Sequence, residues 1–228
     1  SNILWNHIST SLDESIRYNQ VLIVQQLASR KWTITNDSAA LLISYIEKIN
    51  SAIDGNLFWL TNSNILEEAK LMDEFRGDVD KALILKVTPK SDSSFHTGAL
   101  EDFFNKSDIK VNNKLIHEFI DLENKNVICQ LLSLSGKPLQ INQESFIQGI
   151  VLKMDVPNTP NITHSFNKMI SLIKESTKKL NGVLVDTSNK KIDDDYISRV
   201  YVHLKKVEQK MLSKKINPGS DNALKIFS

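Results

Sequence analysis

From residue 81 onward, apolar positions recur with two distinct periods, and each period predicts its own kind of element. KALILKV (81–87) is a short apolar run with Gly77 before it and Pro89 after it, which predicts a strand. Gly98 to Lys106 sets Leu100, Phe103 and Phe104 on one side of a short helix. DIKVNNKLIHEFIDL (108–122) reads as extended, with a kink or bulge at Asn112-Asn113. NVICQLLSL (126–134) is a strand ended by Ser135-Gly136-Lys137-Pro138. A polar connection spans 139–148, and GIVLKMDV (149–156) is a strand stopped by Pro157. Two amphipathic helices follow. Phe166, Met169, Ile170, Ile173, Thr177 and Leu180 share a face in the first; Ile197, Val200, Leu204, Val207 and Met211 share one in the second. Between them Asn181-Gly182 makes a turn into a short strand ending at Asp186. Asp193, Asp194 and Asp195 stand where carboxylates cap the second helix and complement the positive end of its dipole. The tail 214–228 is polar, is broken by Pro218-Gly219 and reads as partly loose.

The first third has less regular periodicity. Residues 11–29 read either as a helix capped at Ser11 or Asp13 or as a segment containing a strand over 20–26. Residues 36–53 form a helix carrying Leu41, Ile43, Tyr45, Ile46 and Ile49. NLFWLT (56–61) is a strand after Gly55, and 65–75 is a helix leading to a boundary near Gly77. Strand, loop, helix, strand is also the order of 82–120, so 20–61 can be read as a degenerate partial copy of that unit. The domain reading is a mainly helical segment over 1–78, one domain over 79–212 and a polar tail over 213–228.

The strands are apolar on both faces. Ala82 and Ile84 alternate with Leu83, Leu85 and Val87; Leu115 and Phe119 with Ile116 and Ile120; Val127, Cys129 and Leu131 with Ile128, Leu132 and Leu134. A sheet with helices on one side normally keeps its other side polar. The second face is therefore either a binding surface, open to an extended or helical peptide, or is closed by residues 1–78.

Charge and composition narrow the chemistry. With 28 Lys and Arg against 27 Asp and Glu, no bulk basic field points to nucleic acid. A single cysteine, Cys129, rules out an intrachain disulfide and a cysteine-based zinc site, and its apolar surroundings predict a buried, inert thiol. G-x-G-x-x-G, G-x-S-x-G and H-E-x-x-H are absent. Gly136-Lys137 fails as a phosphate loop, because Leu131 stands at the first glycine position and Pro138 at the Ser/Thr position. His7, His96, His117, His164 and His203 do not cluster at ligand spacing, so no metal or other cofactor is expected. No apolar run reaches the ~20 residues of a membrane span, and no signal-peptide pattern opens the chain. Ser1-Asn2 reads as the scar of an excised piece.

Residues 80–211 resemble the C-terminal domain of the ZipA family of bacterial division proteins. The likeness rests on KALILKV, VICQLLSL, GIVLKMDVP, the stretch 166–207 and, most specifically, the LNGVLVD turn (180–186) after a long helix. The resemblance implies an α+β fold: a split β-α-β antiparallel sheet with helices on one face, here with the helical N-terminal segment added. It implies a non-enzymatic adaptor whose exposed sheet face binds the C-terminal tail of FtsZ and links the division ring to the inner membrane. The membrane would be reached only through an anchor outside this chain, on the cytoplasmic face. Carried over by position, the groove comprises Leu83 and Leu85 on the first strand, Lys114 and Ile116 on the second, Leu132 and Leu134 on the third and Lys153 on the fourth. Lys114 and Lys153 stand where the family pattern has large apolar residues. The competing reading is a structural domain of the same kind, closed by residues 1–78 and serving a different protein partner. A small-molecule-binding or enzymatic domain is a third reading; a deep polar pocket with converging titratable groups would favour it.

Overall fold

The first strand of the domain holds the sheet together. In a computed structural model that describes residues 19–60, 64–91, 93–141 and 143–228, β1 (Ala82–Pro89) is hydrogen-bonded on both sides. On one side it pairs with β7 (Ile150–Asp155) and on the other with β8 (Gly182–Val185). The sheet continues from β7 through β5 (Val127–Ser133) and β4 (His117–Ile120) to β3 (Ile109–Val111). Its order is β3-β4-β5-β7-β1-β8, and every neighbouring pair is antiparallel. A separate two-residue ladder joins β2 (Phe95–His96) to β6 (Phe146–Ile147). It buries Phe95 and Ile147, and it lies partly inside what reads from sequence as a plain connection.

Helices cover one side of this sheet. α4 (Ile162–Lys179) crosses β8, β1 and β5, and α3 (Thr97–Asn105) packs on β3. α5 (Asp194–Ser213) stacks on α4. The core between them is built from Leu85, Val87, Leu131, Ile150, Leu152 and Met154 of the strands. Phe166, Met169, Ile173, Leu204, Val207 and Met211 of the helices close it. Asp193 caps α5 as expected, its carboxylate accepting the Tyr196 N–H at 2.8 Å. Lys168 on α4 binds Asp121 after β4 at 2.8 Å and pins helix to sheet.

Several local expectations change. The Asn112-Asn113 kink is a full chain reversal. Asn112 Oδ1 accepts the N–H groups of Lys114 and Ile116, Leu115 takes a positive φ of 61°, and the chain returns as β4. The bulge lies instead on β5. Phe119 pairs with Cys129 and Ile120 with Val127, leaving Ile128 without a partner. An extra residue rotates the strand locally, which explains why neighbours Ile128 and Cys129 are both buried in the core. Burial pushes the Cys129 thiol far above its usual range, as an inert core cysteine requires.

α1 (Asn36–Ala52) and α2 (Ile65–Val79) form as predicted, each with a side-chain cap, Thr35 and Asn64. Residues 20–26 and 56–60 are not strands, so the strand–helix–strand copy is absent among the described residues. The first part of the proposed 11–29 helix lies outside those residues. α2 packs on α5 and α1 on α2.

The tail is not loose. α6 (Asp221–Phe227) buries Ala223 and Phe227 completely, with Phe227 at 6.5 Å from the ring of Phe75 on α2. Gly219 permits this path. Its φ is +71°, and a Cβ there would lie 2.3 Å from Pro160 Cγ. Arg30 fastens the same corner: its guanidinium bonds Asp80 and, at 3.0 Å, Asp155, while its N–H donates to the Ile226 carbonyl at 2.8 Å.

Two stability predictions follow from this packing. Phe227→Ala should cost about 3 kcal/mol in urea unfolding, the scale for truncating a fully buried aromatic; a cost below ~1 kcal/mol would mean that α6 is not part of the core. Lys168 holds the Asp121 carboxyl below its ordinary range, against the opposing effect of burial. The resulting stabilisation is complete above the unfolded-state pKa of ~4 and is lost as pH falls through the lower folded value. Asp121→Asn should therefore flatten the acid limb of the stability–pH curve, and an unchanged limb would show that this pair does not set it.

Candidate functional site

The sheet face turned away from the helices is defined by the β1 register. Ile84 lies opposite Lys153, Lys86 opposite Val151, and Ala82 opposite Asp155. Across β7, Lys153 faces Gln130 and Val151 faces Leu132; across β5, Gln130 faces Glu118, which in turn faces Lys110. Directly opposed residues project to the same side of a sheet. Two rows therefore run across this face. One reads Lys110, Glu118, Gln130, Lys153, Ile84. The other reads Leu132, Val151, Lys86, Val185, and continuing the register two residues along β4 adds Ile116 beside Leu132.

The chemistry of the rows differs. Leu132, Val151 and Val185 are buried yet stand outside the core cluster beneath the helices. Lys86, in the same row, donates to the Thr187 carbonyl at 2.8 Å. Glu118 is oriented by Asn112 Nδ2 at 2.7 Å, with Gln130 Nε2 at 3.4 Å. Lys153 is exposed and forms no ion pair among the described residues. Leu134, 40 % exposed just past the end of β5, extends the apolar row toward solvent. The surface can accept apolar side chains along one line while offering a cation, a carboxylate and an amide along the next.

The seven residues expected in a groove separate into three groups. Ile116, Leu132, Leu134 and Lys153 fall on this open side. Leu83 and Leu85 do not. Leu83 pairs with Met154 and Leu85 with Leu152, so both point under the helices. Leu85 is 2 % exposed, and Leu83 borders a cleft of about 380 Å³ lined by Tyr196, Val200 and Leu204 of α5. Lys114 sits in the β3–β4 turn and lines a second cleft, of about 480 Å³, with Phe104, Val111, His117 and Leu139 on the helix side. There the half-buried His117 ring stays neutral to lower pH because burial disfavours its charged form, and its Nδ1 has no partner among the described residues. The physical reason for the correction is the two-residue repeat: a position and its neighbour cannot share a face. Lys153 and Leu83 were thus incompatible choices. Ile84, Lys86 and Val151 were missed, although the lysine in each of LILKV and VLKMD marks the solvent-facing set.

The two described helices within residues 1–78 lie elsewhere, α2 packed on α5 and α1 on α2. Among the described residues no group of His, Cys, Asp or Glu is arranged to hold a metal, and no helix is long and apolar enough to cross a membrane.

The model of one protein family, the C-terminal FtsZ-binding domain of ZipA, matches residues 81–202. No curated protein matches the chain. The matched span starts at the strand that organises the sheet and ends within α5. The match covers more than half of the chain, so the protein belongs to the ZipA C-terminal domain family, a protein-binding family of cell division whose partner is FtsZ.

Proposed function

We propose that the chain is a non-enzymatic division adaptor whose open sheet face captures the C-terminal tail of FtsZ. The observation that carries this reading is the apolar row of Ile116, Leu132, Val151 and Leu134, in which Ile116 and Leu134 keep area in solvent, on the side of the sheet away from α4. An extended or helical tail laid across β5 and β7 can bury apolar side chains on that row. The adjacent row fixes its direction, since Lys153 attracts an acidic group and Glu118 repels one. Held by an anchor on a longer form of the protein, such a domain would link FtsZ polymers to the cytoplasmic face of the inner membrane.

Leu134 is the sharpest probe, because it is exposed and outside the core. Removing an apolar anchor of its size forfeits ~1.5–3 kcal/mol, about ten-fold to a hundred-fold in affinity. Leu134→Asp should therefore weaken binding of an FtsZ C-terminal peptide by at least that much in titration calorimetry, with an unchanged melting temperature. Equal affinity in the folded variant would exclude this face.

The two lysines should behave differently from each other. Lys153→Met replaces a costly-to-bury ammonium with an apolar group in the middle of the face, and should tighten an apolar tail several-fold. Lys114→Met lies in the hairpin turn and should leave affinity unchanged. The reverse pattern would move the site to the cleft beside His117.

A further inference from the structure

The cleft beside His117 lies on the helix side of the sheet, away from the face that would hold the FtsZ tail. Its volume of about 480 Å³ falls within the ~300–1,000 Å³ of small-molecule sites. Three walls enclose it: α3, the β3–β4 hairpin and the connection over residues 137–141. Each wall is held by its own hydrogen bonds. Asn112 Oδ1 fixes the hairpin turn by accepting the Lys114 and Ile116 N–H groups at 2.9 and 3.1 Å. The connection is fixed at its start, where the Lys137 N–H donates to Ser133 Oγ at 3.2 Å and the Lys137 carbonyl accepts the Ser133 N–H at 2.9 Å. Further along it is tied to the start of α3, where the Thr97 N–H donates to the Ser145 carbonyl at 3.1 Å. Walls pinned in this way need no ordering when a ligand enters.

The chemistry of the cleft differs between its buried and its exposed members. Phe104 and Leu139 are buried, and the His117 ring stands 5.2 Å from that of Phe104. Burial keeps that imidazole neutral to lower pH, so the inner wall is aromatic and carries no charge. Lys114 and Lys137 line the cleft from exposed positions, and neither forms an ion pair among the described residues. Among the described residues Glu101 is the one carboxylate that lines it, against two lysines. Leu115 lines it too, 71 % exposed, on a backbone whose φ of 61° leucine rarely adopts. Strain of that kind collects at ligand sites, and a bound group would take the Leu115 side chain out of water.

We propose that this cleft binds a small aryl carboxylate, with its ring against Phe104, His117 and Leu139 and its carboxylate at Lys114 and Lys137. Aromatic walls favour a flat ring, and two ammonium groups beside a single carboxylate favour an anion. The site is distinct from the FtsZ-binding face, because neighbours on a strand project to opposite sides and Ile116 takes that face while His117 takes this one.

Titration of the whole chain with 3-phenylpropionate, followed by amide NMR and calorimetry, tests this. Binding should saturate at one site, with shifts at Val111, Leu115, His117 and Leu139 and none at Ile84, Val151 or Lys153. The uncharged 3-phenylpropan-1-ol and the cationic 3-phenylpropylamine should bind more weakly. Lys114→Gln combined with Lys137→Gln should weaken the carboxylate about ten-fold, the scale of a lost charge-assisted hydrogen bond, and leave the alcohol unaffected. Val111→Trp, at an exposed strand position, should fill the cleft and abolish binding of acid and alcohol alike. No saturable binding up to the solubility limit of the acid overturns the proposal, as does equal binding of acid, alcohol and amine. Shifts confined to Ile84, Val151 and Lys153 overturn it as well. The FtsZ reading stands or falls separately, since the double lysine variant should keep its affinity for an FtsZ C-terminal peptide.

Discussion

The pairing of β1 with β7 determines nearly everything else in this protein. Both strands are apolar on both sides, so either face could have gone beneath the helices. The register that sets Leu83, Leu85 and Val87 against Met154, Leu152 and Ile150 sends those six side chains inward as one set. It simultaneously sends Ile84 and Lys86 outward with Lys153 and Val151. Shifting either strand by one residue would turn its one lysine, Lys86 or Lys153, under the helices, where an unpaired charge is costly to bury. The lysines thus act as specificity devices for the fold before they act as anything else. The identity of the exposed face is a consequence of where charge cannot go.

Much of this was legible in the sequence, for reasons that differ by element. α4 and α5 announce themselves because an apolar stripe sustained over four or five turns has no competing explanation. β1, β5 and β7 are equally clear as strands. Their facing was not, because short runs apolar on both sides carry little period-2 signal. Only the single lysines, Lys86 and Lys153, resolve the ambiguity; the resemblance marks Lys153 as a departure from the family pattern, and in the fold it marks the solvent-facing side. The hairpin at Asn112 was mistaken for a bulge, since a turn closed by one asparagine side chain looks locally like an irregular strand. The true bulge at Ile128 left no trace, because an apolar extra residue in an apolar run changes nothing in the pattern.

The errors at the two ends of the chain share a cause. α6 is only seven residues long, and its value to the fold lies in Ala223 and Phe227, the latter meeting Phe75 across the molecule. NLFWLT resembles a strand by composition yet has no ladder partner among the described residues, and its aromatic side chains stay in water. Local propensity is a weak guide in both cases, since tertiary neighbours decide.

The corner closed by Arg30 also has a bearing on synthesis. The Gln26 amide donates to the Lys225 carbonyl 199 positions away, and the Arg30 N–H to that of Ile226. A ribosome adding roughly 5–20 residues per second therefore leaves residues 26–30 without their final partners for about 10–40 s, while α1 and α2 can already form. The sheet can close in that interval, because its own contacts lie between residues 82 and 185. Residues 26–30 can therefore dock only onto a corner that is complete once Lys225 and Ile226 have left the ribosome.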